Sequence, residues 1–191
     1  MSRQFWKPSN MLYPVPAVLI VTRDEAGRDN VMTAAWAGTV CSDPVMVSVS
    51  VRKERLTHAA LTQTGEFVMC LTTEKMAKVT DYVGVRSGRD MDKFSLPGDL
   101  RLTRFPSRIV RAPGIEESPV CLECRVRQVL ELGSHDMFVA EVVSTDIDDR
   151  YLDEKGKFCL SKAGLLAYSH GEYYGLGRLL GTFGYSVRKK P

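Results

Sequence analysis

The stretch from Val31 to Leu71, VMTAAWAGTVCSDPVMVSVSVRKERLTHAALTQTGEFVMCL, decides how this chain folds and where its chemistry can sit. It reads as strand, short loop, strand, basic turn, helix and strand. Val45, Val47, Val49 and Val51 alternate with Met46, Ser48 and Ser50, the period of a strand that buries one face. The alternation runs into Arg52, Lys53 and Arg55. After this basic turn, with Thr57 near the start of a helix, Leu56, Ala59, Ala60 and Leu61 fall at helical spacing, and Gly65 is placed to end the helix.

Working outward, Pro14 to Asp24 is a β-branched run, Glu25 to Asn30 supplies turn residues, and Val31 to Gly38 resumes an extended pattern, so the two runs form a hairpin. Ser42-Asp43-Pro44 breaks the chain before the valine strand. Glu66 to Thr72 is a strand, and a second helix runs from Glu74 to about Val83 with Met76, Val79 and Val83 on one side and Thr73 as N-cap. Arg86 to Asp99 reads as an exposed loop lying over a site. Ser107 to Gly114 reads as a short strand. Val120 to Leu132 and Met137 to Thr145 form a hairpin around Gly133-Ser134-His135-Asp136. Asp146 to Lys157 is a polar connection, and Leu165 to Tyr185 is rich in Gly and Tyr without a clean period. Six to eight strands, two short helices and no internal repeat describe one domain over residues 1–191. It is a mostly β, antiparallel, Greek-key barrel with helices packed outside.

A chain of 191 residues, 44% hydrophobic and 26% charged, is long enough to bury a full core. Its net charge of +3 is small and evenly spread, which argues against nucleic acid or membrane as the main partner. The basic cluster Arg188, Lys189 and Lys190 reads as a solvated terminus. No apolar run approaches the ~20 residues of a membrane span, and MSRQFWKPSN lacks a signal-peptide core, so the cytoplasm is expected. Five cysteines, an odd number, fit reduced thiols in that compartment.

Arg52, Lys53, Arg55 and Thr57, at a strand end that leads into a helix, offer cations, a hydroxyl and free backbone N–H groups to one anion. The same residues also read as a solvated basic turn. Thr33-Ala34-Ala35-Trp36 places small side chains beside an aromatic, so that a flat ligand can approach the strand backbone, with Ser48 and Ser50 facing the same space. The bland alternative makes Trp36 a core residue and the alanines spacers. Cys121 and Cys124 tempt a metal reading, but residues three apart in a strand point to opposite faces, and no second CxxC accompanies them. His135 reads as a polar turn residue. No GxSxG elbow, P-loop or dinucleotide fingerprint is present, and no catalytic residue is assigned.

The run Asn30 to Trp36, with Ser42-Asp43-Pro44, Ser48-Val49-Ser50 and Arg55-Leu56-Thr57-His58, resembles the flavin reductase-like, FMN-binding split-barrel family. Arg89-Asp90-Met91-Asp92-Lys93 matches the lid-like segment of one member, and Leu122-Glu123-Cys124-Arg125, His135, Phe138 and Glu141 match its second half. The likeness covers roughly residues 10 to 145. It implies a six-stranded split barrel, a homodimer and non-covalent FMN near the dimer interface. It implies further that Thr33, Ala34, Ala35, Trp36, Ser48, Val49 and Ser50 line the isoalloxazine, that Lys53, Arg55, Leu56, Thr57 and His58 surround the phosphate, and that Lys93 and Phe94 close from the lid. The segment from about 165 to 191, with Tyr173 and Tyr174, completes the pocket or the interface.

On this reading the flavin carries the chemistry and the protein binds and orients it. The activity expected is an NAD(P)H-dependent flavin or ferric reductase, with NADH or NADPH as co-substrate. The alternative is an electron carrier with tightly bound FMN and a protein redox partner. A third reading is a binding module for another flat anion such as pyridoxal phosphate or haem.

Overall fold

The computed structural model describes residues 1–188, so Lys189 and Lys190 lie outside the described residues. After the two-residue β1 (Val15–Pro16), β2 (Val18–Arg23) and β3 (Asp29–Ala34) form the expected hairpin, in register from Val18 with Ala34 to Arg23 with Asp29. Val31 to Gly38 is not one run, however. The chain bends at Ala35 and Trp36 and restarts as β4 (Ala37–Ser42), which pairs with β5 (Val45–Arg52). Helix α1 (Leu56–Thr64) ends on Gly65, whose φ of 63° is the left-handed region that glycine adopts without a Cβ clash. Strand β6 (Glu66–Leu71) follows.

The second helix begins with a 3₁₀ turn, Glu74–Met76, and continues as α2 (Ala77–Val85). Thr73 stands at the N-cap position but makes no capping bond; the Glu74 N–H is instead satisfied by Gly164 O at 2.8 Å. Ser107 to Gly114 is not a strand. Only Gly114 joins a strand, β8 (Gly114–Ile115); the residues between it and β7 (Arg104–Phe105) form a bend, because a buried carboxylate collects their amides: Arg108, Ile109 and Val110 donate to Glu123 at 2.9, 2.7 and 2.9 Å. Burial works against that carboxyl, yet these bonds hold it below its ordinary pKa. The long hairpin is β9 (Val120–Leu132) and β10 (His135–Ile147). The Gly/Tyr-rich tail also forms a hairpin, β11 (Leu166–Ser169) and β12 (Glu172–Gly175), with β1 on its outer side.

The main sheet is antiparallel, in the order β3-β2-β6-β9-β10-β5-β4. Strands β3 and β4 are consecutive in sequence yet lie at opposite edges, so the Ala35–Trp36 bend carries the chain across the seam of a split barrel. There the Ser50 N–H donates to Trp36 O at 2.9 Å. The inward face gathers Val18, Ile20, Met32, Val49, Phe67, Cys124 and Phe138, while the outward face of β2, β3, β6 and β9 packs under α2 and the segment from Phe94 to Ile115. Strand β2 is covered on both sides, which explains its unbroken apolar run. Cys121 belongs to the outer cluster and Cys124 to the inner one, as their spacing requires.

Phe67, fully buried at the centre of the barrel, gives a direct check on this core. Phe67→Ala should cost about 3–5 kcal/mol in urea unfolding, and a loss under 1 kcal/mol would contradict its placement.

Candidate functional site

The seam opens on a cavity of about 450 Å³ lined by Met32 to Trp36 from the crossing, Ser50 to Arg52 from β5, Asp81, Gly84 and Val85 from α2, and Tyr168, Gly171 and Tyr173 from the tail hairpin. Its size falls within the roughly 300–1,000 Å³ of small-molecule sites. Gly84 is there because α2 runs against β3: a Cβ would meet the Thr33 Cβ at 3.0 Å. The Thr33 hydroxyl donates to Thr80 O, which ties strand to helix. Trp36, Tyr13, Tyr168 and Tyr173 form a chain of tilted and edge-on rings with centroids 6.2, 6.0 and 5.5 Å apart, an aromatic border for a flat ligand. Tyr173 donates to Asp81 at 3.3 Å, and burial, followed by Asp81, pushes its phenol up to about 12.

Arg55 connects this cavity to a smaller recess. Around the recess stand Asn30, Leu56, Thr57, Arg86, Ser87, Arg89 and Lys93, so its charged lining is four cations with no carboxylate. Lys93 is buried, and its ammonium donates to Val31 O at 2.8 Å and Val83 O at 2.7 Å. An ammonium has three donors, which leaves one N–H beyond these two carbonyls. Burial, with Arg55 adding repulsion, lowers its pKa to about 8. Thr57 Oγ1 accepts from Asn30 Nδ2 at 2.9 Å. Arg89 donates to Glu54 O at 2.8 Å, and Gly88 packs closely there, where a Cβ would stand 2.0 Å from Asn30 Oδ1 and 3.1 Å from Leu56 Cδ2. The N-terminal amides of α1 begin beside Arg55, so helix and cations share one polarity.

The structure thus brings together Thr33, Ala34, Ala35, Trp36 and Ser50 at the cavity, and Arg55, Leu56, Thr57 and Lys93 at the recess. Other expected residues lie elsewhere. Val49 faces the barrel interior, fully buried, because it is on the valine face of β5. Ser48 shares the outward face with Ser50 but lies two residues down the strand, opposite Val139 and Gly38 and outside the cavity. Lys53 and His58 are drawn off to a carboxylate: His58 Nε2 is 2.7 Å from Asp136 Oδ2, and Lys53 Nζ is 3.4 Å from Asp136 Oδ1 and 3.3 Å from Glu131. Phe94 does not close the pocket. It is buried in the outer core, with the Arg104 guanidinium 5.1 Å over its ring. Tyr174 points to Glu172 at the surface.

Sequence reasoning missed His135, Arg86, Arg89 and Asp81 as lining residues. His135 pairs with Arg52 across β10 and β5, and both line the cavity, whereas its neighbour Asp136 faces the start of α1. Burial and then Arg52 lower the His135 pKa, so its ring is mostly neutral at pH 7. Only the β5–β10 register reveals it; Arg86 and Arg89 carried a signal, as cations in a loop expected to cover a site.

Fold and site together define a split-barrel protein with an aromatic-edged cavity beside a recess lined by cations. A model of the flavin reductase like domain matches residues 11–177, and the chain belongs to that family. It is similar to the solved structure of flavoredoxin from Desulfovibrio vulgaris (Miyazaki F), with a TM-score of 0.88 at 30% identity over 98% of this chain and 100% of that one. It is also similar to the FMN-binding protein of Thermus thermophilus, with a TM-score of 0.76 at 27% identity over 91% and 96% of the two chains. The ferric-chelate reductase (NAD(P)H) of Archaeoglobus fulgidus is 29% identical over 164 residues, 80% of this chain and 90% of that protein. No helix among the described residues is long and apolar enough to cross a membrane.

The His58 hydrogen bond, followed by Lys53, holds Asp136 below the ordinary carboxylate pKa. Its contribution to stability is therefore full above about pH 4 and is lost as pH falls through the lowered folded value. Asp136→Asn should flatten the acid limb of a melting-temperature profile below about pH 4; an unchanged limb would place the acid sensitivity elsewhere.

Proposed function

We propose that this protein binds FMN non-covalently and works as an NAD(P)H-dependent flavin or ferric reductase. The observation that carries the reading is the pairing of a flat-ligand cavity with a recess whose charges are all positive and whose buried lysine retains an N–H for an anion. The chemistry of the two linings suits a phosphorylated heteroaromatic, and FMN is named by the Thermus relative. Arg55, Lys93, Thr57 and the first amides of α1 would hold the phosphate. The backbone of Thr33 to Trp36 would hydrogen-bond the ring edge, and the Trp36–Tyr13–Tyr168 border would exclude water.

The chemistry that bound FMN would supply is hydride acceptance and one- or two-electron transfer. The chain's own task is orientation and charge. Arg52 and neutral His135 offer a cation and a ring nitrogen on the β5–β10 side of the cavity, a donor set suited to the phosphates and carboxamide of a nicotinamide co-substrate. No side chain in the cavity needs to act as a nucleophile. The flavoredoxin likeness favours a second reading, an electron carrier that is reduced by a protein partner.

Assembly as a homodimer is part of the proposal. Val40 on edge strand β4, with Val45, Leu179, Leu180 and Phe183, leaves apolar surface exposed, which a second copy would cover. The five free cysteines suit a reducing cytoplasm.

Purified protein should be yellow. Rapid anaerobic bleaching by NADH or NADPH is the result expected of the reductase, whereas bleaching only by dithionite or a reduced protein donor selects the carrier. Colourless protein that ignores added FMN ends both readings. Arg55→Ala should weaken FMN binding about tenfold or more in a fluorescence titration. Because the lysine with a pKa of about 8 favours the anion only when protonated, affinity should fall about tenfold from pH 7 to pH 9. Lys93→Arg, which stays charged, should abolish that fall.

A further inference from the structure

We propose that Cys70 and Cys121 form a hydroperoxide-sensitive dithiol, in which Cys121 is oxidised first and Cys70 closes a reversible disulfide between β6 and β9. The two residues are direct register partners on adjacent antiparallel strands, and their sulfurs are 3.2 Å apart. Such partners have Cα atoms about 4.5 or 5.5 Å apart, inside the roughly 4.4–6.8 Å range of disulfides. Both thiols are free, and a bond of about 2.05 Å needs an approach of only about an ångström, within reach of side-chain rotation.

Both thiols are buried, Cys121 at 2% exposure and Cys70 at 0%, but only Cys121 borders a cavity. Cys121 lines a cavity of about 300 Å³ on the far side of the sheet from the barrel interior, where Glu116, Ser118, Asp146 and Arg150 also stand. Cys70 is fully buried behind it in the outer core. They differ in acidity too. The contact with Cys70 holds the Cys121 thiol below its ordinary pKa, whereas burial, the largest cause, pushes Cys70 well above. Cys121 is therefore the more acidic of the two sulfurs, and it is the thiolate form that attacks peroxides. Cys124 has no such role: it sits in the barrel interior, where burial pushes it up to about 12.

The chemistry balances with one hydroperoxide. Cys121 sulfur attacks a peroxide oxygen, the O–O bond breaks, and with the thiol proton the leaving group departs as water or alcohol, which leaves a sulfenic acid. Cys70 sulfur then attacks the sulfenic sulfur, the S–O bond breaks, and water leaves with the second thiol proton. Two thiols are oxidised by two electrons, and the peroxide is reduced. A thiol reductant reverses the bond. Any small hydroperoxide serves, so the dithiol stands independently of the proposed flavin site.

The test is a peptide map under non-reducing conditions of the native full-length protein, treated briefly with hydrogen peroxide and blocked with N-ethylmaleimide in denaturant. The result expected is a Cys70–Cys121 cross-linked peptide, with two of the five thiols lost to alkylation and both restored by dithiothreitol. In Cys70→Ser, Cys121 should instead be captured by dimedone. The proposal is overturned if Cys70 and Cys121 both remain alkylatable while the half-exposed Cys41 and Cys159 are oxidised. The map of the unmutated protein decides this even if the variant does not fold.

Discussion

The structure depends on one crossing. Strand β3 ends at one edge of the main sheet, β4 begins at the other, and only Ala35 and Trp36 lie between them. The Ser50–Trp36 backbone bond joins this bend to β5, and closing the barrel gives its valine, leucine and phenylalanine face somewhere dry to go. The crossing has no regular partner on both sides, so it leaves backbone groups and space at the seam. The cavity is there for that reason, with the small side chains of Ala34 and Ala35 on its wall.

Charge is sorted around α1 in a way that composition hides. One carboxylate, Asp136, takes Lys53 and His58 out of the basic turn. Arg55, Arg86, Arg89 and Lys93 are left facing one another without an acid in the recess. Burial first, and then repulsion from Arg55, lowers the pKa of Lys93. An anion is the partner that removes this cost. The buried ammonium also has a structural task, since its two carbonyl partners belong to β3 and α2. In the proposed site, anion binding and helix docking would therefore be coupled through one side chain.

The tail acts on the same cavity from outside the barrel. Strand β11 pairs with β1, just before β2, so the C-terminal hairpin is anchored beside the seam, where Tyr168 and Tyr173 extend the aromatic border begun by Trp36. The outer core under α2 has a separate character, with the Cys70–Cys121 rung lying one strand beyond Leu19, the register partner of Thr33.

The amino-acid sequence by itself determined the elements whose period is strong. These are the valine face of β5, the helix closed by Gly65, the β9–β10 hairpin and the divergence of Cys121 and Cys124, all consequences of local geometry that repeats every two or 3.6 residues. It also singled out Thr33–Trp36 and Arg55–Thr57, which line the cavity and the recess. Tertiary structure alone decided the rest, because each case is settled by a partner far away in the chain. Val31 to Gly38 bends since its halves belong to opposite edges, and Ser107 to Gly114 bends since Glu123 claims its amides. Lys53 and His58 turn to Asp136, and Phe94 enters the core while Lys93 beside it reaches the recess. His135 joins the cavity through its register with Arg52. Local sequence sets which way a side chain alternates, but its actual neighbours depend on strand order and register, which only the closed barrel supplies.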